Sequence, residues 1–222
     1  MNGPIPTTTV SIQIDRLVTL LLTGVKSRPR SEERRSAIIS AATRVIAARG
    51  LAAPTATIAK EAGVSNGSLF VYFETKSKLL NELYLELKAD MGAAALDRLP
   101  SDADIRNQLH HVWTNWLRWA TSFPEKRRAL AQLSVSEDLT AKTHQISADG
   151  MAGLAEILRR ARADGPMADE PLGFVLQLVT ALAESTIDAV LREPANLDSH
   201  SRAGFAAMWR VLARADVAVI NV

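Results

Sequence analysis

The sequence predicts an all-α protein of about nine helices, and three observations carry that expectation. No stretch sustains the apolar–polar alternation of a strand; apolar residues recur instead at spacings of three and four. Most of these stretches open at Ser, Thr, Asp or Pro and stop at Gly or ahead of Pro, residues that start and end helices by capping free amides, presetting φ or adopting positive φ. With 222 residues, 47% of them hydrophobic, the chain is long enough to bury a full core.

Residues 1–30 read as an N-terminal extension outside the compact fold. Pro4, Pro6 and three consecutive threonines open it, and a short apolar segment from Ile12 to Leu22 ends at Gly24. It lacks the basic start and the small-residue cleavage site of a secretory signal. Ser31 is the expected cap of the first helix, with Glu32 and Glu33 suited to its positive end. Ile38, Ala42, Val45 and Ile46 form the buried stripe of that helix, and Gly50 stops it.

Two short helices follow around one glycine turn. Thr55 is expected to cap a helix over Ala56–Ala62, and Gly63 ends it by taking a positive φ. Ser65 caps a second helix over Asn66–Tyr72, about two turns long. Leu69 and Phe73 face Ile58, Ala59 and Ala62, leaving Asn66, Ser68, Val71 and Tyr72 outward. A turn of three or four residues between two such helices is the helix-turn-helix layout used to read DNA.

Thr75 caps a longer helix carrying Leu79, Leu80, Leu83, Tyr84, Leu87 and Met91. Pro100–Asp104 breaks the chain and caps the next helix, with Ile105, Leu109, Val112, Trp113, Trp116, Leu117 and Ala120 at helical spacing. Pro124 starts a short helix. Ser134 and Glu137 have capping-box spacing for one long segment that contains Leu154, Ile157 and Leu158 and ends at Gly165–Pro166. A helix from Pro171 to Arg192 and another from Ser199 to about Ala215 close the chain.

The bulk numbers narrow the class. No apolar run reaches the eighteen or so residues of a membrane helix, so no membrane partner is expected. Zero cysteines exclude disulfides and thiolate metal sites and fit a cytoplasmic location. The formal net charge is only +2, with the basic excess lying in the half that holds the two short helices. Lys26, Arg28 and Arg30 could add a basic arm able to enter a minor groove. His110 and His111 are adjacent, which points them about 100° apart on a helix, so no metal and no cofactor is expected.

From Arg35 to Leu80 the chain resembles the TetR family of bacterial transcriptional regulators. The resemblance is carried by Gly50, Ile58–Ala59, Ala62–Gly63–Val64–Ser65, Gly67–Ser68–Leu69, Tyr72–Phe73, Lys76 and Leu79–Leu80. Two residues depart from the pattern: Phe70 stands where a tyrosine is usual, and Pro54 where a threonine or serine is common. The resemblance implies a DNA-binding domain over 31–78 and a ligand-binding and dimerisation domain over 79–222. It also implies a homodimer whose last two long helices form a four-helix bundle, an operator of double-stranded DNA, and a small-molecule effector not identified by the sequence.

On that footing Thr55 and Lys76 are expected to bond phosphates, joined by the amides around Ser65 and Gly67 at the start of the reader helix. Asn66 and Ser68 are candidates for base edges, Val71 for a thymine methyl, and Tyr72 for either phosphate or base. The candidate ligand residues are His110, Trp113, Trp116, Gln177 and Glu184, although an aromatic stripe at this spacing also serves as plain core. Leu178, Leu182, Phe205, Met208, Trp209 and Leu212 are the expected dimer contacts; the alternative places the same residues in the subunit's own core. The function expected is a repressor released by a small molecule. An activator needs the same contacts, and an enzyme would need His110 or His111 to work with a carboxylate such as Glu184.

Overall fold

Helical spacing in the sequence becomes ten α-helices among the residues that the structure, a computed structural model, describes, 30–213. They are α1 (30–49), α2 (Thr55–Glu61), α3 (Asn66–Tyr72), α4 (Lys76–Leu96), α5 (Ile105–Ser122), α6 (Pro124–Ser134), α7 (Ala141–Gly150), α8 (Ala152–Ala161), α9 (Leu172–Arg192) and α10 (Leu197–Leu212). The extension expected over 1–30, apart from Arg30 in α1, lies outside the described residues, as does the expected helix end near Ala215.

The first three helices form a small head. Ile38, Ala42 and Ile46 of α1 pack with Ile58, Leu69 and Phe73, all essentially without solvent contact. Gly50 ends α1 with φ +81° while its amide donates to the Ile46 carbonyl at 2.9 Å, a conformation that costs glycine nothing. Two expected caps differ. Ser31 lies inside α1, and Pro54 rather than Thr55 occupies the cap position of α2 without any side-chain bond. Proline presets the extended entry to the helix by its ring, so no hydroxyl is needed there.

α4 joins the head to the body. Its 21 residues span about 31 Å at 1.5 Å each, and Thr75 caps it by accepting from the Lys78 amide at 3.0 Å. Arg35 of α1 reaches Glu82 at 2.8 Å and Glu86 at 2.6 Å on α4, and its guanidinium lies 5.5 Å from the centre of the Phe73 ring. One cation therefore ties α1, the end of α3 and α4 into a single unit.

In the body, α5, α6 and α7 pack on α4, while α8, α9 and α10 pack on α5. Asp104 caps α5 by accepting from the Asn107 amide at 2.9 Å, as its position predicts. The single long segment expected after Ser134 divides in two. Ser134 ends α6 with its hydroxyl on the Leu130 carbonyl, and Thr140 caps α7 by accepting from the Thr143 amide at 3.1 Å. α7 and α8 then break at Met151, whose sulfur sits where a Cβ on Gly92 of α4 would approach to 2.8 Å. A glycine on α4 thus admits a methionine at the joint, and the extra break raises nine helices to ten.

α9 corrects another expectation. It is long and apolar enough to cross a membrane by composition, contrary to the reading that no such run exists. Glu184 and Asp188 interrupt it on one face, and only 33% of its most apolar stretch is buried within the subunit.

Candidate nucleic-acid interface and inner cavity

Backbone chemistry builds the reader helix. Gly63 has φ +68°; its amide donates to the Lys60 carbonyl at 3.2 Å and the Val64 amide to the Ala59 carbonyl at 3.0 Å, which closes α2 and turns the chain. Ser65 then caps α3, its Oγ accepting from the Ser68 amide at 3.0 Å and lying 3.1 Å from the Ser68 hydroxyl. Leu69 anchors the helix inward. Ser65, Asn66, Gly67 and Val71 are exposed, Ser68 and Tyr72 half-buried, and Val71 keeps 82% of its surface. A two-turn helix with an apolar tip and small polar groups at its positive end suits a groove edge lined by bases and phosphates.

Two expected phosphate contacts are placed less freely. Thr55 is half-buried in the first turn of α2. Lys76 donates its ammonium to the Leu51 carbonyl at 2.5 Å, across the joint between the head and α4. One of its three donors is thus spent inside the protein, and two remain for an outside oxygen. Arg44, paired with Glu61 at 2.9 Å, braces α1 against α2 beside them.

A cavity of about 760 Å³ lies in the body, between α4, α5, α6, α7, α8, α9 and α10. Trp113, Trp116, Gln177 and Glu184 line it as the sequence predicts. Trp119 adds a third indole, and Tyr84, His144 and Met151 close other sides. Trp113, 1% exposed, donates its ring N–H to the Ser201 carbonyl at 3.2 Å, so it serves as core and wall together. His110 is not among the lining residues; its ring stands edge-on to Phe205 with centroids 4.6 Å apart. His111 is turned to the Asp97 carbonyl at 2.7 Å and the Asn115 amide at 2.9 Å. The helical phase of α5 sends Trp113 and Trp116 inward and His110 to another side.

The cavity's charges are Lys88, Arg127 and Glu184. Arg127 reaches Glu184 through Nε at 2.7 Å and Asp188 at 2.6 Å. Burial works against its charge, but the two carboxylates outweigh burial and hold the guanidinium above its ordinary range. Sequence reading missed Arg127 because its partners lie 57 and 61 residues away. Lys88 was also missed, although Tyr84, Lys88, Met91 and Ala95 follow helical spacing and all line the cavity. No cluster of metal-ligating groups occurs among the described residues.

Asp90, at the edge of α4, accepts from the Trp119 ring N–H at 2.8 Å and from Lys126 at 2.9 Å. Burial alone would push its carboxyl up; those bonds and the lysine's charge outweigh it and hold the carboxyl below its ordinary 3.8. A depressed acid stabilises the fold above its unfolded pKa and loses that contribution as pH falls through the lower folded value. Asp90→Asn is therefore expected to lower the thermal midpoint at neutral pH and to converge on the parent as pH drops below 3.8. Melting curves across an acid series check this.

The expected dimer residues divide. Phe205, Met208 and Leu212 are buried in the subunit's own core, where no partner can reach them. The apolar face of α10 is used up against α5 and α9, which the sequence could not distinguish from a face turned outward. Leu178, Leu182 and Trp209 are half-buried at its margin. The exposed apolar side chains of α9 are Phe174, Leu176 and Leu191.

Comparison with known proteins matches this geometry. Residues 38–83 match the family model described as bacterial regulatory proteins, tetR family. A structure from Shewanella sp. PV-4 assigned to the tetR family of transcription regulators is 26% identical, covers 82% of this chain and 98% of its own, and superposes with a TM-score of 0.73. A TetR family transcription regulator from Marinobacter aquaeolei VT8 is 23% identical over 84% of this chain and 98% of its own, with a TM-score of 0.75. The TetR-like regulator LfrR from Mycobacterium smegmatis, solved in complex with proflavine, is 19% identical over 79% of this chain and 95% of its own, with a TM-score of 0.59. The serine-capped reader helix thus lies inside a segment, 38–83, that matches the tetR family of bacterial regulatory proteins, and along most of its length the chain shares the fold of TetR family transcription regulators.

Proposed function

We propose that this chain is a cytoplasmic, homodimeric repressor that reads a pseudo-palindromic operator through 31–78 and is released when a small molecule enters the cavity of the domain over 79–222. The observation that carries the reading is α3: a short helix fixed by the Ser65 cap and the Leu69 anchor, with Asn66 and Val71 standing into solvent. A single helix of this length covers too few base pairs for useful specificity, whereas two of them about 34 Å apart read successive major grooves.

Pairing is supported by α9, where exposed Phe174 lies on the same side as half-buried Leu178 and Leu182 and would otherwise be left against water. The contact would use this face and the margin at Leu178 and Leu182, with Phe205, Met208 and Leu212 stiffening it from behind. The release mechanism rests on α4, which carries cavity residues at one end and, through Lys76 and Arg35, the head at the other. A ligand that favours a different tilt of α4 would change the spacing of the two reader helices; its effect is limited to its differential affinity for the two arrangements.

The acid–base arrangement expected for an enzyme is not formed, because neither His110 nor His111 lines the cavity and Glu184 is engaged by Arg127. Activation would use the same DNA contacts, and transcription assays with the operator placed before a promoter separate it from repression.

Selection of bound duplexes from a random pool by the purified protein tests the reading. A pseudo-palindromic consensus is expected, and recovery of unenriched sequence would overturn it. With the consensus in hand, Asn66→Ala is expected to lose discrimination at its base by about 1–3 kcal/mol while keeping random-duplex affinity. Lys76→Ala is expected to weaken binding to every duplex and to flatten the salt dependence. Fluorescence anisotropy on matched and mismatched duplexes at several salt concentrations reads both; equal loss on specific and random duplex for Asn66→Ala would remove its assigned role.

A further inference from the structure

Lys88 is the one cationic side chain lining the cavity that has no carboxylate within salt-bridge distance among the described residues. The cavity's other cation, Arg127, is already matched by Glu184 and Asp188. Lys88 sits in the middle of the α4 stripe between Tyr84 and Met91, and Trp113, Trp116 and Trp119 line the same cavity. An ammonium in an apolar chamber without a counter-charge is poorly solvated, and an anion brought in by a ligand is what would match it.

We propose that the effector is an apolar molecule carrying a single anionic headgroup, a carboxylate in its simplest form, which pairs with Lys88 while its body lies against Trp113, Trp116 and Trp119. This rests on the reading of the cavity as an effector site and adds the chemical class of the ligand. The cavity volume of about 760 Å³ accepts a body of ten or so carbon atoms. Burial already pushes the Lys88 ammonium below its ordinary range, so the unliganded site holds a charge that the protein leaves uncompensated. Lys88 lies on the helix that carries Lys76 at its start, so an anion held there pulls on the same rod that is bonded to the head.

Isothermal titration calorimetry of the full chain with decanoate, decanamide and decylamine tests the assignment, each kept below its micelle threshold. Decanoate is expected to bind about tenfold or more tightly than decanamide, the size of one charge-assisted hydrogen bond in a partly dry site, and decylamine more weakly than either. Lys88→Met is expected to erase the preference for the acid, bringing decanoate down to the affinity of decanamide for the same variant, and Lys88→Arg to keep it. Equal affinity for acid and amide, or a preference that survives in Lys88→Met, would overturn the anchor and leave the cavity a ligand site of another class. Binding of none of the three would also overturn it. Lys88-dependent binding of decanoate without any change in operator affinity would uphold the anchor and remove the release mechanism instead.

Discussion

Val71→Glu is expected to lower affinity for the selected operator by about 100-fold or more, because a carboxylate placed against phosphates costs several kcal/mol and a dimer incurs it twice. Val71 keeps 82% of its surface and makes no part of the core. Glutamate is at least as good a helix former as valine, so α3 itself is not weakened. The melting temperature is therefore expected to stay within a degree or two of the parent, as for surface substitutions in general. Paired anisotropy and melting curves check both halves. Parent-like operator affinity in the folded variant would show that α3 does not enter the groove.

Phe73→Ala is the opposite case, a large loss of stability that removes DNA binding indirectly. Phe73 is fully buried at the end of α3, its amide donating to the Leu69 carbonyl and its ring under the Arg35 guanidinium. Truncating a buried phenylalanine costs about 3–5 kcal/mol through lost transfer energy and the cavity left behind. In a chain of this size that lowers the melting temperature by on the order of 10 °C. Phe73 is the one fully buried aromatic side chain of the head, so unfolding of the head ahead of the body is the expected pattern, seen by hydrogen exchange as early loss of protection over 30–73. Phe73→Leu is expected to recover most of the loss. A melting curve unchanged by Phe73→Ala would contradict the packing described for the head.

The two short helices were legible because their signals are local. Glycine at positive φ, serine capping its own third neighbour, and apolar residues on one face of two turns are all fixed within about twenty residues. Cap assignment failed where another residue did the same work nearby: Pro54 preset the entry that Thr55 was expected to cap, and Thr140 supplied the cap expected from Ser134. The break at Met151 was not legible, since it depends on Gly92 of a different helix giving room to the side chain.

The cavity was legible only in part. Trp113 and Trp116 could be named because aromatic residues at helical spacing must face something apolar, but the sequence did not say which turn of α5 met the chamber, and His110 was misplaced by that ambiguity. Charge pairing across the fold carries no local signal. Arg127 is matched by residues on a helix far along the chain, and only that pairing makes the isolation of Lys88 visible. A similar ambiguity holds for three of the expected dimer residues. Periodicity marks a face as apolar without saying whether the subunit or its partner covers it, and α10 spends Phe205, Met208 and Leu212 at home.

Sedimentation of the purified chain with a labelled duplex carrying the selected sequence, combined with hydroxyl-radical footprinting of the same complex, tests the paired-reader claim most directly. Two chains per duplex, with two protected patches one helical turn apart that both vanish in Val71→Glu, is the expected result. One chain per duplex, or a uniform footprint equally strong on random sequence at moderate ionic strength, would contradict it.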